Sequence, residues 1–274
     1  MYQNELDVAV DAALKAGAVI RSHMGRLRAA DQELKGMNDL VTVADEAAQE
    51  VILERLISAF PDHHVLAEEG DSSETMRTET DGYLWIVDPI DGTANFVHGV
   101  YPHAVSIGLQ HEGRLAVGVV YELGRDELFT ATRGGGTFLN GRRQRVTETN
   151  TLGESLVATG FPFRSHTFRH ADAYLKVLRT FMSQCHGVRR LGSAAVDMAY
   201  VCCGRFDGFF EMGLSPWDVA AGALLVEEAG GRVTDFSAEE RAPLFNGQMI
   251  ATNSRLHEAF QEAIGPLREV LRDG

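Results

Sequence analysis

Cysteine is scarce in this sequence of 274 residues, and the three present are Cys185, Cys202 and Cys203. An odd number with two adjacent members suggests neither a disulfide framework nor a cysteine metal site, which fits a reducing compartment. No apolar run reaches the roughly 18 residues that a membrane-spanning helix needs. The first residues, "MYQNELDVAVDAALKAG", lack the basic start of a signal peptide. The composition therefore predicts a cytoplasmic protein without a membrane partner.

Basic residues are also few, with 25 Lys and Arg against 39 Asp and Glu and a net charge of −14. Proteins that bind nucleic acid need a basic surface, so we expect no direct nucleic-acid binding. The Walker sequence GxxxxGK[ST] is absent, which argues against an ATP-driven kinase. An anionic small substrate stays compatible with this charge, because a bound metal ion can invert the local field.

Hydrophobic residues make up 45% of the chain, enough for a substantial core. Apolar periodicity predicts helices over 5–25 and 43–60, the second capped by Thr42, followed by a β meander over 103–146. Beyond residue 150 strands alternate with helices, which we predict over 168–184, 193–203, 216–229 and 255–272. We therefore predict two closely packed α/β halves, residues 1–148 and 149–274.

Acidic residues stand at the ends of several apolar runs, most clearly in "WIVDPIDGTANF". Each alone has an ordinary explanation as a helix cap or a solvated turn. Together they offer the hard carboxylate oxygens that Mg²⁺ prefers, and like charges so close repel unless cations lie between them. The sequence thus predicts a site with more than one divalent ion. The candidate acids are Asp45, Glu68 with Glu69, Asp88, Asp91 and Asp218.

A predicted phosphate site adjoins these acids. Gly92 and Thr93 follow Asp91 directly and suggest a turn into a short helix, whose first backbone N–H groups favour an anion. Divalent metals beside such a helix start are typical of phosphoryl transfer or phosphate-ester hydrolysis.

At these residues the sequence resembles the inositol monophosphatases, within the Mg²⁺-dependent, lithium-sensitive phosphatase superfamily. The two motifs that carry the resemblance are "WIVDPIDGTANF" with its upstream "EE", and "PWDVAAGALLVEEAGG". The stretch "RRLGSAAVDMAYVCCGRFDGFFEMGL" is similar to the bacterial SuhB branch. The resemblance covers nearly the whole chain. It implies a layered αβαβα sandwich of the type shared with fructose-1,6-bisphosphatase, a site between its halves, and a homodimer.

The resemblance also implies roles for particular residues. Glu68, Asp88 and the carbonyl of Ile90 would hold one Mg²⁺, while Asp88, Asp91 and Asp218 would hold a second. A weaker third ion near Glu68 is common in the family, so two or three ions are expected. Thr93 and Asp45 would orient the attacking water.

The substrate contacts implied by the resemblance form two groups. The backbone N–H groups of Gly92, Thr93 and Ala94 would approach the phosphate. The family commonly has Thr where this chain has Ala94, so a backbone contact survives there and a hydroxyl contact does not. The polyol would be lined by the other group, Arg189, Gly192, Ser193, Ala194 and Glu211.

The function implied is that of a Mg²⁺-dependent phosphomonoesterase, hydrolysing inositol 1-phosphate or a similar polyol phosphate with a metal-activated water. Superfamily alternatives are fructose 1,6-bisphosphate, histidinol phosphate and 3′-phosphoadenosine 5′-phosphate. "ANFVHG" after "DGT" resembles the inositol branch, since the nucleotide branch tends to have Lys there and the histidinol branch Arg. A SuhB-like role in binding transcription-machinery proteins, and a metal-bound structural role without catalysis, are the further alternatives.

Overall fold

The computed structural model describes residues 1–25, 32–36, 39–69, 82–162, 165–237 and 244–272. Its strands are β1 (Gln32–Gly36), β2 (Asp39–Thr42), β3 (His64–Ala67), β4 (Tyr83–Asp91), β5 (Ala104–His111), β6 (Arg114–Glu122), β7 (Glu127–Thr132), β8 (Gly136–Leu139), β9 (Arg142–Arg143), β10 (Leu156–Thr159), β11 (Gly187–Arg189), β12 (Gly208–Met212), β13 (Arg232–Thr234) and β14 (Gln248–Thr252). Its helices are α1 (Gln3–His23), α2 (Val43–Ala59), α3 (Thr93–Val97), α4 (Ser165–Phe168), α5 (Ala171–Gln184), α6 (Ala194–Cys202), α7 (Pro216–Glu228), α8 (His257–Ala263) and α9 (Gly265–Arg272).

Two mixed sheets organise most of these elements, and β1 and β2 form a separate antiparallel pair. The seven-stranded sheet runs in chain order from β3 to β9, with β3 parallel to β4 and the other neighbours antiparallel. The five-stranded sheet has the order β11-β10-β12-β14-β13, and β10 is parallel to both β11 and β12. Parallel strands place their carboxyl ends at the same edge of a sheet. The segments that follow β10, β11 and β12 therefore lie at one edge, where they form one wall of the site described below.

The sheets stack with helices into five layers. One core packs α1 and α2 on the outer face of the seven-stranded sheet, and a second fills the space between the sheets with α6 and α7. A third core packs α5, α8 and α9 on the far face of the five-stranded sheet. The alternation of a strand supplies both faces, so Phe209 lies in the inner core while Phe210 lies in the outer one. The predicted αβαβα sandwich is confirmed.

Helix α7 crosses the seven-stranded sheet at two glycines. A Cβ atom on Gly118 would lie 2.7 Å from the backbone oxygen of Ala221, and one on Gly108 would lie 2.8 Å from the Cβ of Ala220. Helix and sheet approach this closely only because both glycines lack a side chain. The approach sets the position of α7 and of the acid in its first turn.

We expect Gly118→Ala to destabilise the fold by about 1–3 kcal/mol, because the new methyl group meets backbone rather than a flexible side chain. Urea denaturation measures this change. Gly265→Ala is the control, since a Cβ there has no neighbour within 4 Å. Equal stability of the two variants would contradict the close packing described.

The helical predictions hold with two differences, one break and one later start. The helix predicted over 255–272 is broken into α8 and α9 around Ile264, because Pro266 cannot donate a backbone hydrogen bond and starts a new helix well. The helix predicted over 168–184 starts at Ala171, after the separate α4. The predicted division between residues 148 and 149 lies between the last strand of the seven-stranded sheet and the first strand of the five-stranded sheet. That the two halves are separate units stays a prediction. Within the described ranges, no helix is long and apolar enough to cross a membrane.

Candidate active site

Three carboxylates from two distant parts of the chain meet at one point. Asp88 and Asp91 lie on β4, separated by an irregularity in its pairing with β5, and Asp218 lies in the first turn of α7. Ligand oxygens of the three lie within 4.8 Å of one another. Asp88 and Asp91 are only 1% and 8% exposed. Glu68 follows β3, and its backbone N–H donates to Val87 of β4 at 3.1 Å.

The electrostatics of this cluster call for a cation. Burial raises the pKa of Asp88 well above its usual range, and the charges of Glu68, Asp91 and Asp218 raise it further. Burial and the charge of Asp218 likewise raise the pKa of Asp91. Oδ1 of Asp88 is buried with no hydrogen-bond partner among the described residues. Buried carboxylates in this state are costly unless paired, and their hard oxygens fit Mg²⁺.

Two of the acids are oriented by backbone and hydroxyl donors. Oδ2 of Asp91 accepts from the hydroxyl of Ser193 at 2.6 Å and from the backbone N–H of Ala195 at 2.7 Å. Oδ2 of Asp218 accepts from the backbone N–H of Ser215 at 2.6 Å, which forms a capping box at the start of α7. The capping role that Asp218 has in its helix therefore coexists with its place in the cluster.

A hydroxyl and a carboxylate, those of Thr93 and Asp45, lie beside the cluster. The hydroxyl of Thr93 lies 3.2 Å from Oδ1 of Asp45 and 3.0 Å from the carbonyl oxygen of Ile90. Oδ2 of Asp45 accepts from the backbone N–H of Thr42 at 2.9 Å and from its hydroxyl at 2.5 Å. Thr42 is the N-cap of α2, as predicted. Burial is the main cause that raises the pKa of Asp45 to about 6.

The turn after Asp91 leads into α3 as the sequence predicts. Gly92 has a φ of +95°, a left-handed conformation that favours glycine. A Cβ on Gly92 would also lie 3.1 Å from the carbonyl oxygen of Gly192 and 3.2 Å from that of Pro102. The first N–H groups of a helix have no partner within it, and here they belong to the turn that borders the acids.

A cavity of about 190 Å³ gathers these residues. The predicted residues that line it are Glu68, Asp88, Ile90, Asp91, Gly92, Thr93, Ala94, Gly192, Ser193, Ala194, Glu211 and Asp218. Asp45 lies buried behind Thr93. Arg189 is exposed and its Nη1 donates to the carbonyl oxygen of Val188 at 3.2 Å. The arginine in the cavity wall is its neighbour Arg190.

Several lining residues escaped the sequence analysis. Gly160 and Phe161 belong to "ATGFPFR", directly after β10, and only the end of a strand could have signalled them. Arg190 stands in "RRLGSAA", where the doubled arginine leaves the choice between the two open. The residues not predicted are Gly160, Phe161, Thr167, Arg190, Met212, Gly213 and Leu214.

Removal of Mg²⁺ should make stability fall as the pH rises. The folded pKa values of Asp88 and Asp91 lie above their ordinary values, so the folded state binds more protons than the unfolded state. Without metal, the stability of the folded state is therefore highest at a pH below the ordinary pKa of an aspartate. It is lost as the pH rises through the raised pKa values that Asp88 and Asp91 have in the folded state. Bound Mg²⁺ offsets this loss, because it binds the deprotonated carboxylates. We expect the gain in Tm on adding Mg²⁺ to increase from about pH 5 to about pH 8.

Thermal unfolding with EDTA or with saturating Mg²⁺ at each pH measures this gain. Asp197→Asn is a matched control, since Asp197 is fully buried but lies outside the cluster. That variant should keep the response to Mg²⁺. A gain that is absent, or equal at both pH values, would contradict the assignment of these carboxylates to a cation.

Comparison with known proteins shows which sequences this chain is similar to. The model of the inositol monophosphatase family matches residues 1–269. The chain is 44% identical over 264 residues to the Nus factor SuhB of Pseudomonas aeruginosa, covering 96% of this chain and 97% of that protein. It is also 44% identical over 260 residues to the inositol-1-monophosphatase of Mesorhizobium japonicum, covering 94% and 95% respectively.

Solved structures of similar proteins have the same fold as this chain. The extragenic suppressor protein SuhB of Bartonella henselae superposes with a TM-score of 0.89 at 39% identity, covering 96% of this chain and 99% of that one. The IMPase of Thermotoga maritima superposes with a TM-score of 0.86 at 36% identity, covering 99% of both chains. With its acidic cluster, its fold and these relatives, the chain belongs to the inositol monophosphatase family of metal-dependent phosphatases.

Proposed function

We propose that this phosphatase hydrolyses inositol 1-phosphate or a closely similar polyol phosphate, with two or three Mg²⁺ ions per site. The observation that carries the proposal is the Thr93–Asp45 pair, which adjoins the acidic cluster at a single cavity. A site that only stored a cation would have no use for a hydroxyl and a carboxylate aligned beside the ligands. The pair favours hydrolysis over the structural alternative.

The ligands in this proposal are Glu68, Asp88, Asp91, Asp218 and the carbonyl oxygen of Ile90. Mg²⁺ held by them would lower the pKa of a coordinated water and offset charge on the phosphate and the leaving oxygen. The remaining chemistry belongs to the protein's own groups, which bind the phosphate, orient the water and accept its proton.

The Thr93 hydroxyl has one proton, which it donates either to Asp45 or to the carbonyl of Ile90. While it donates, its lone pairs can accept a hydrogen bond from the attacking water and fix the direction of attack. The raised pKa of Asp45, about 6, brings this carboxylate close to the neutral range in which a general base works well. Asp45 can therefore receive, through Thr93, the proton that the water gives up.

The backbone N–H groups of Gly92, Thr93 and Ala94 are assigned to the phosphate in this proposal, and Gly192, Ser193, Ala194 and Glu211 to the polyol. Arg190 replaces Arg189 in the polyol wall, since it is Arg190 that lines the cavity. Ser193 would act at two points, because its hydroxyl also orients Asp91.

Phosphate release from a panel of monoesters tests the proposal. The panel contains inositol 1-phosphate, fructose 1,6-bisphosphate, histidinol phosphate and 3′-phosphoadenosine 5′-phosphate, each with Mg²⁺ or with EDTA. We expect Mg²⁺-dependent release with the highest kcat/KM for inositol 1-phosphate. A higher kcat/KM for one of the other esters would contradict the proposed substrate but not the phosphatase activity. Inhibition by Li⁺ in the same assay tests the lithium sensitivity implied by the family.

The proposal includes a homodimer in the cytoplasm. The scarcity of cysteine supports a reducing compartment, and the dimer rests on the family resemblance alone. Sedimentation equilibrium of the full chain tests the dimer, and a single species at 30.0 kDa, the mass of one chain, would overturn it.

A second candidate function is binding to transcription-machinery proteins. It is favoured by the name Nus factor SuhB of the Pseudomonas aeruginosa relative, at 44% identity. Surface recognition is compatible with an intact catalytic cavity. Capture of RNA polymerase or an elongation factor on the immobilised protein, equal for the wild type and Asp88→Asn, would support it. Capture of neither would count against it.

A further inference from the structure

The charges that line the cavity are unevenly distributed. Among its described lining residues, five carry carboxylates and Arg190 alone carries a positive charge. Four of the five acids belong to the predicted metal ligands. The fifth, Glu211, lies on β12 in the other sheet. Arg190 and Glu211 are thus the charged groups on the wall where the leaving group of a phosphate ester would lie.

Strand order brings this pair together. β10 lies between β11 and β12 and is parallel to both, with Ala158 opposite Arg189 on one side and Phe209 on the other. Neighbouring strands are about 4.8 Å apart, so the backbones of Arg190 and Glu211 flank the end of β10 at about twice that distance. Both side chains are long enough to reach over the residues between them.

The residues between Arg190 and Glu211 are Gly160 and Phe161, at the end of β10. Each of them lies next to one of the two charged groups. A Cβ on Gly160 would lie 1.7 Å from Oε1 of Glu211, so the carboxylate lies across the end of β10 where a side chain would otherwise be. The guanidinium of Arg190 lies over the ring of Phe161, 5.7 Å from its centroid. The two head groups of opposite charge thus lie next to consecutive residues of the chain, and both residues line the cavity.

Two buried neighbours respond to both charges. Glu211 raises and Arg190 lowers the pKa of Tyr174, and the same two residues act in the same directions on Asp197. Burial is the largest cause of the raised pKa of both groups. On this wall of the cavity, the formal charges of the two lining residues Arg190 and Glu211 are opposite and cancel.

We propose that Arg190 and Glu211 act as a charge-balanced pair that admits an uncharged polyol leaving group and rejects one with a second phosphate. The proposal rests on the phosphatase function proposed above and deepens it. Hydroxyl groups can accept from the guanidinium and donate to the carboxylate. A second phosphate gains little from Arg190, because the adjacent Glu211 repels it. Specificity here comes from this repulsive group as much as from favourable contacts.

The test compares two substrates that differ only in the second phosphate, fructose 1-phosphate and fructose 1,6-bisphosphate. The readout is the ratio of kcat/KM for the bisphosphate to that for the monophosphate, with release followed at C1. The ratio does not depend on the fraction of folded enzyme. We expect Glu211→Gln to raise it about tenfold, because the amide removes the repulsion while Arg190 keeps its charge.

Arg190→Gln in the Glu211→Gln background should return the ratio towards the wild-type value. Gly160→Ala should raise the ratio in the same direction, since its methyl group displaces the Glu211 carboxylate. Gly153→Ala is the matched control, as a Cβ there meets only the backbone oxygen of Gln184 at 3.8 Å. An unchanged ratio in Glu211→Gln, or a gain that survives in the double variant, would overturn the proposal.

Failure of the proposed function is distinguishable from this result. Inositol 1-phosphate is assayed on the same samples, and its hydrolysis reports on the proposed substrate alone. Hydrolysis of the fructose esters without hydrolysis of inositol 1-phosphate would show that inositol 1-phosphate is not a substrate. The ratio of kcat/KM values for the two fructose esters would still test the role of Arg190 and Glu211. Absence of hydrolysis of either fructose ester by every variant would overturn the pair as a selector.

Discussion

Asp88→Asn should abolish phosphate release and, without metal, stabilise the protein. Asp88 is 1% exposed and its pKa is raised by burial and by three neighbouring acids. Loss of a group that only supports a metal ligand typically costs 10–100-fold, so loss of this central ligand should cost about 10³-fold or more. The neutral amide also removes a buried charge, so we expect metal-free stability at about pH 8 to rise by about 1–3 kcal/mol.

Two measurements on one sample check this result. Phosphate release with Mg²⁺ gives the activity, and urea denaturation in EDTA gives the free energy of unfolding. Asp197→Asn also removes a fully buried carboxyl group but leaves the cluster intact, and its Mg²⁺ response should persist. An Asp88→Asn variant that is inactive because it is unfolded would contradict the expected gain in stability.

Thr93→Val should lower kcat by about 10²–10⁴-fold, the usual range for a group that aids proton transfer. Valine keeps the branched shape, while the hydrogen bonds at 3.2 Å to Asp45 and 3.0 Å to the Ile90 carbonyl are lost. The carboxylates of the cluster are unchanged, so Mg²⁺ affinity should stay within about threefold of the wild type. Steady-state kinetics and isothermal titration with Mg²⁺ measure the two quantities.

Thr93→Ser is the conservative variant and should recover most of the activity, because it restores the hydroxyl. Asp45→Asn offers an independent check, since its remaining oxygen can still cap α2 while its amide cannot take up a proton. It should also flatten the acidic limb of the kcat profile that a group with a pKa of about 6 produces. Wild-type activity in Thr93→Val would exclude Thr93 from the reaction.

Local patterns predict much of this site because several of its groups belong to one short stretch. In "DPIDGT" a strand end and a turn hold Asp88, Asp91 and Thr93 within six residues. Asp45 and Asp218 each stand three residues after an N-cap residue, Thr42 and Ser215. Capping boxes depend on neighbouring residues alone, so the sequence predicts their helix starts. Its composition predicts neither a disulfide framework nor direct nucleic-acid binding.

The tertiary structure decided what long-range packing controls. Asp218 reaches Asp88 only because Gly108 and Gly118 let α7 approach the sheet, and no local pattern contains that contact. The same holds for the hydrogen bond from Ser193 to Asp91, 102 residues apart in the chain.

The arginine of the cavity wall shows most clearly where prediction from sequence ends. Successive residues of a strand point to opposite faces, so "RR" alone could place either side chain in the cavity. In the folded chain the residue that lines the cavity is Arg190, directly after the end of β11 at Arg189. From sequence alone came the chemical identity of the site, the acids with their hydroxyl, because it depends on residue type and short spacing. Which wall those groups face depends on strand register, and only the folded chain determines that.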